Sequence, residues 1–230
     1  MKKARIVLGA SMIAAAVPIL LTIRKSKRMS KVDNELKLAE GVANDIKTVI
    51  TPLAYPDDEW STTVAAFIDL AFEHQAAIIL LIRSKMFGSA FALLRSVVEI
   101  VVRGVWIAAC ATPAQITKFR DKDEIDLTFG AMAKAIDAIC GIAYFDDLKT
   151  KSWEALNSYA HSGMLQLGRR YTGYKLIPSY KDEEKIEVIR TVTTMLLLIV
   201  RPFLAKHGHN NEAVKIDDIS KKWLEDCKNT

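Results

Sequence analysis

Residues 89 to 110, SAFALLRSVVEIVVRGVWIAAC, carry three charges at four-residue spacing, Arg95, Glu99 and Arg103, inside a run that is otherwise almost wholly apolar. On a helix each step of four advances about 40°, so the three charges fall within an arc of about 80°, and Trp106 lands in the same arc. Leu93, Leu94, Val97, Val98, Ile100, Val101, Val105, Ile107 and Ala108 fill most of the remaining circumference. A helix this apolar is enclosed by other elements, so a charged stripe along it must be paired or put to use. Two readings stay open. In one, an Arg–Glu–Arg network ties helices together; in the other, Glu99 orients the guanidinium groups of Arg95 and Arg103 toward a phosphate or carboxylate.

The rest of the chain supplies helices to surround this strut. Leu36, Leu38, Val42, Ile46, Val49 and Ile50 give an amphipathic helix over 31–50, stopped by Pro52 and Pro56. Asp57 or Asp58 caps a second, buried helix reaching residue 84, and Phe87-Gly88-Ser89 is the turn before the central one. Thr112-Pro113 opens a short helix to about residue 120. Further helices are expected over 127–140, ending at Gly141, and over 146–159. Residues 164–180, with two Gly, a Pro and three Tyr, predict a broken helix or ordered loop, followed by helices over 181–206 and 213–226. With no repeat and no strand-length alternation, the fold class is an all-α bundle.

The net charge of +5 misleads if read globally. Residues 1–31 hold eight Lys or Arg and no acid, which leaves a mildly acidic body with 24 basic against 27 acidic residues. That balance argues against a non-specific nucleic-acid binder and moves the basic character to the N-terminus. There, residues 6–23 form an uncharged run of 18 flanked by Lys2, Lys3 and Arg5 and by Arg24, Lys25, Lys27 and Arg28. At about 1.5 Å per residue the run spans roughly 27 Å, close to a bilayer's hydrocarbon thickness. We expect residues 1–28 to be a single-pass membrane anchor and residues 29–230 a helical domain on the cytoplasmic side of the inner membrane. The alternatives are a signal peptide cleaved after Ala14-Ala15-Ala16 and a cytoplasmic protein translated from Met29. Cys110, Cys140 and Cys227 are far apart and read as reduced.

A second set of polar residues lies around His161, in Asn157-Ser158-Tyr159-Ala160-His161-Ser162-Gly163, followed by Gln166, Arg169 and Arg170. A His at a helix end near two Arg suits a general base or an anion ligand, and equally a capping role. Gly163 suits an unusual backbone angle. His74 reads as a core histidine, and His207 and His209 as surface residues. The four Trp are dispersed and read as packing residues. No P-loop, G-x-G-x-x-G, G-x-S-x-G, H-E-x-x-H or Glu-x-x-His occurs, so neither a metal nor a cofactor is expected.

The segments HQAAIILLIRSKMFGSAFALLRSVVEIVVRGVWIAACATPAQITKF and KSWEALNSYAHSGMLQLGRR resemble a bacterial family of helical proteins grouped with the HEPN-like bundles, near the AbiV-type abortive-infection proteins. The resemblance covers roughly residues 35–205. It rests on L-R-x-x-x-E-x-x-x-R-G-x-W and Y-x-H-x-G, and it implies a helical bundle, often a homodimer, with no established activity for this branch. HEPN ribonucleases pair an Arg with a His four to six residues later, and here no Arg precedes His161 at that spacing. A rearranged site would bring Arg95 or Arg103 to His161 from another helix. The expected function is therefore a binding module in phage defence or stress response. Its alternatives are a metal-independent ribonuclease with His161 as base and Arg95 and Arg103 as phosphate clamp, and a sensor for a small anionic ligand. Glu99, Trp106, Tyr159, Gln166, Arg169 and Arg170 complete the candidate site.

Overall fold

In the computed structural model, which describes residues 29–229, the apolar periodicities become nine helices with no strand among the described residues. They are α1 (Lys31–Ile50), α2 (Glu59–Arg83), α3 (Phe87–Ala109), α4 (Pro113–Lys122), α5 (Phe129–Cys140), α6 (Phe145–Ala160), α7 (Met164–Gly168), α8 (Asp182–Lys206) and α9 (Asn210–Asn229). The run read as a membrane anchor, 6–23, lies outside the described residues. Lys31 onward makes one unit.

Helix α3 is rich in Val and Ile, whose stiff side chains lower helix propensity, so its stability comes from packing. Val97, Val98, Val101, Val102, Val105, Trp106, Ile107 and Ala108 are all buried, each large side chain contributing on the order of 1.5–3 kcal/mol. α3 packs against α2, α8, α5 and α6, while α8 packs against α1, α2, α3 and α9, so two adjacent central helices share the core. At Gly104 a Cβ would stand 2.5 Å from Ile199 Cδ1 and 2.9 Å from Phe67 Cβ, which shows how closely α2 and α8 approach α3. By length and composition α2 and α8 could each cross a membrane; 61% of the apolar window of α8 is buried within the bundle, as in a core helix.

Caps follow the sequence at several ends. Asp58 accepts from the Ser61 N–H at 2.8 Å, Thr112 and Gln115 form a capping box, and Gly141 ends α5 in the left-handed conformation. Two expectations shift. α3 begins at Phe87, so the preceding turn is Ser84 to Met86, with Lys85 rather than a glycine at φ 61°. α9 runs from Asn210 to Asn229, longer than the expected 213–226, and buries Ala213, Ile216 and Trp223 against its neighbours. Tyr144 gives α6 no side-chain cap, and the buried Asp137 of α5 supplies it, accepting from the N–H groups of Phe145 and Asp146 at 3.1 and 2.9 Å.

Two buried polar contacts were not visible in the sequence. Glu35 of α1 is wholly buried and accepts two bonds from Arg190 of α8, at 2.7 and 3.0 Å. His207 and His209, read as surface residues, are half-buried instead. His207 packs against Tyr55, Trp60 and Phe203 and lies 3.3 Å from Ser61 Oγ. Burial pushes the His207 pKa down, against the pull of Asp58, because the cation would lose its hydration.

Replacing Arg190 with Ala strands the Glu35 carboxylate, and urea unfolding should show a loss of about 3 kcal/mol, with Glu35→Gln in the same chain recovering part of it. The folded pKa of His207 lies below its unfolded value near 6.5, so the unfolded chain binds the proton first as the solution is acidified. Stability should therefore be full above that value and decline as pH falls through the folded pKa. His207→Phe should flatten this part of the profile, which urea titrations across the window would read.

Candidate functional site

Arg95 sits two turns into α3 on the face that meets α6, and three groups fix its guanidinium. Nε donates to Glu99 Oε1 at 2.9 Å, one turn further along the same helix. The guanidinium carbon lies 5.1 Å from the ring centre of Trp153, on α6. Nη1 donates to His161 Nε2, a contact between residues 66 apart in sequence. Arginine has no acceptor, so in this contact the imidazole accepts at Nε2. Of the five guanidinium N–H groups, two are used among the described residues. Arg95 and Glu99 are half-buried and His161 is exposed, so the pair can be reached from solvent.

His161 owes its position to a sharp change of direction after α6. Its own N–H still bonds to the Asn157 carbonyl at 2.9 Å, and Ser162 then adopts φ 55°. The unusual angle thus falls on Ser162, whereas Gly163, expected to need it, has φ −73°. Gly163 is required for another reason. A Cβ there would lie 2.4 Å from Ser158 Oγ and 3.0 Å from Ser158 Cα. The close approach lets Gly163 N–H bond to the Ser158 carbonyl at 2.7 Å while Ser158 Oγ accepts from Leu165 N–H at 3.0 Å.

The other candidates divide. Gln166 Nε2 donates to the Gly88 carbonyl at 3.1 Å, pinning α7 to the first turn of α3. Arg169 is a structural tie: it pairs with Glu184 on α8 and donates to the Ser179 carbonyl at 3.3 Å. Its burial works against the charge, but Glu184 and the Tyr159 hydroxyl keep its pKa above the ordinary value. Tyr159 packs edge-on to Phe91 of α3 at 5.2 Å. Arg170 is exposed and makes no ion pair among the described residues.

Two members of the expected stripe fall away. Arg103 is exposed, and Glu99 pairs with Arg95 alone, so the Arg–Glu–Arg network is an Arg–Glu pair. Eight residues at 1.5 Å place Arg103 about 12 Å beyond Arg95 along the axis, and the 40° drift per four residues turns it about 80° away from the face that meets α6. Trp106 is 3% exposed and belongs to the core. One contributor was missed. Trp153 was taken as a packing residue, yet it carries Arg95 on its ring; its place eight residues before His161 on one helix was the available signal.

The assembled site is a cation, steadied by one carboxylate and one indole, beside an imidazole with a basic nitrogen. Such a pair can take up a phosphate or carboxylate oxygen, or move a proton at His161 Nε2. Neither any curated protein nor any solved structure matches the chain. Residues 68–228, from within α2 through most of α9, match the model of a family of unknown function, DUF6988, and the chain belongs to that family.

Proposed function

We propose that this protein binds a phosphate-bearing ligand at Arg95 and His161, and that it does so as a HEPN-like bundle held at the inner membrane by residues 6–23. The observation that carries the reading is the contact between Arg95 and His161, delivered from α3 and from the end of α6. A purely structural cross-link would not need a half-buried arginine beside an exposed imidazole. When an anion enters, Arg95 Nη1 transfers its bond from His161 to a ligand oxygen, and His161 is released to bond the same group. Glu99 and Trp153 hold the guanidinium plane throughout, which lowers the entropy lost on binding.

The same contact supports a second reading, RNA cleavage without a metal. His161 Nε2 takes the proton from a ribose 2′-hydroxyl, and the 2′-oxygen attacks phosphorus. The bond to the 5′-oxygen breaks, water protonates the leaving oxygen, and a 2′,3′-cyclic phosphate and a 5′-hydroxyl result. Arg95 serves the non-bridging oxygens.

The full chain in detergent micelles, mixed with a fluorescent single-stranded RNA or with a mononucleotide, tests both. Arg95→Ala should weaken binding by about tenfold or more, and Arg103→Ala should change it less than about twofold. Equal effects of the two variants, in chains with unchanged melting, would refute the assignment. Cleavage that yields cyclic phosphate and vanishes in His161→Ala selects the ribonuclease reading; binding without cleavage selects the binding module.

A further inference from the structure

Seven large apolar side chains are exposed within the fourteen residues 164–177, among them Leu165, Leu167, Tyr174, Leu176 and Ile177. Tyr174 stands clear of the fold and Leu176 is 86% exposed. We propose that the turn around Tyr174 dips into the anionic surface of a lipid bilayer, with Tyr174, Leu176 and Ile177 among the acyl chains and Arg170 and Lys175 at the headgroups.

The backbone holds these side chains outward. Thr172 and Lys175 exchange N–H···O bonds at 2.9 and 3.2 Å around Gly173, whose φ is 58°. The Thr172 hydroxyl donates to the Ile177 carbonyl at 3.2 Å, and Ser179 N–H bonds the Arg169 carbonyl at 2.8 Å. A closed turn therefore carries Tyr174 at its tip and Leu176 and Ile177 just behind it. Apolar groups presented in this way add nothing to the core, and an exposed cluster of them marks a surface that meets an apolar partner.

Charge selects the partner. Residues 162–181 contain Arg169, Arg170, Lys175 and Lys181 and no Asp or Glu, in a body that is otherwise acidic. Glu184 takes up Arg169, whereas Arg170 and Lys175 are exposed and form no ion pair among the described residues. An apolar tip with a tyrosine, backed by cations, is complementary to a bilayer whose surface is anionic. A second copy of the chain docking on the same patch would bring these cations face to face.

Position agrees with charge. α1 and α8 run parallel, with Glu35 on Arg190 near their starts and Tyr55, just beyond α1, against Phe203 near the end of α8. The start of α1 thus lies at the same end of the bundle as the start of α8, and the Tyr174 turn leads directly into α8. The chain enters the bundle at this end, after the uncharged run 6–23. The proposal rests on the membrane reading of that run only for which bilayer is met. Two weak attachments at one end would together orient the bundle on the membrane, as neither does alone.

Fluorescence of the full chain in vesicles tests this. The vesicles are phosphatidylcholine, alone or with an equal part of phosphatidylglycerol, and carry bromine on the acyl chains to quench any indole that reaches them. Tyr174→Trp should add emission that is quenched in the mixed vesicles, measured against the parent chain. Leu176→Ser, or Arg170→Gln with Lys175→Gln, should each lower the inserted fraction of that reporter roughly tenfold, with melting unchanged because all three side chains are exposed. Carbonate extraction of the same vesicles reports separately on residues 6–23. A chain that resists extraction while its added indole stays unquenched refutes the turn and leaves the anchor standing. A chain that is extracted, yet quenched in mixed vesicles before extraction, supports the turn without the anchor. Equal quenching in both lipid mixtures, quenching that survives the double charge change, or an added indole shielded by concentration-dependent self-association without lipid would each overturn the proposal.

Discussion

The crossing of α2, α3 and α8 at Gly104 sets how closely the bundle closes. With a hydrogen in place of a side chain, Ile199 of α8 and Phe67 of α2 reach the backbone of α3. That approach buries Val101, Val102 and Val105 on all sides and fixes the rotation of α3 about its axis. Once the rotation is fixed, Arg95 and Glu99 can only face α6, and the first turn of α3 can only face α7 and the loop that carries Tyr180.

The chain uses its polar groups in two ways. Some close the fold: Glu35 with Arg190, Arg169 with Glu184, and Asp137 on the start of α6. Each has its partners satisfied inside the protein, as burial demands. Others do not close. Among the described residues Arg95 uses two of its five donors, and the Tyr180 hydroxyl is buried without a hydrogen-bond partner.

Much of the local structure was legible from residue types. Proline at the first position of α4, threonine before it, Asp58 before α2 and glycine after α5 marked those ends because capping is decided within a few residues. The stripe of α3 was also legible, and Arg95 and Glu99 met as four-residue spacing requires. Arg103 did not join them. Spacing along one helix says which side chains are neighbours on its surface, but not where the facing helix ends.

What the sequence determined by itself is the all-α architecture, the central place of α3, and two polar clusters, one on that helix and one around residue 161. These follow from periodicity and composition, which act over short stretches of chain. Only the tertiary structure decided that the clusters meet, with Arg95 on His161 and Trp153 beneath it. It also decided that Gly163 serves a close contact, that His207 is packed among rings, and that Tyr180 is left without a partner beside Gly88. Each of these depends on the crossing and rotation of helices distant in sequence. Those are set by the packing of the whole core, and no local pattern encodes them.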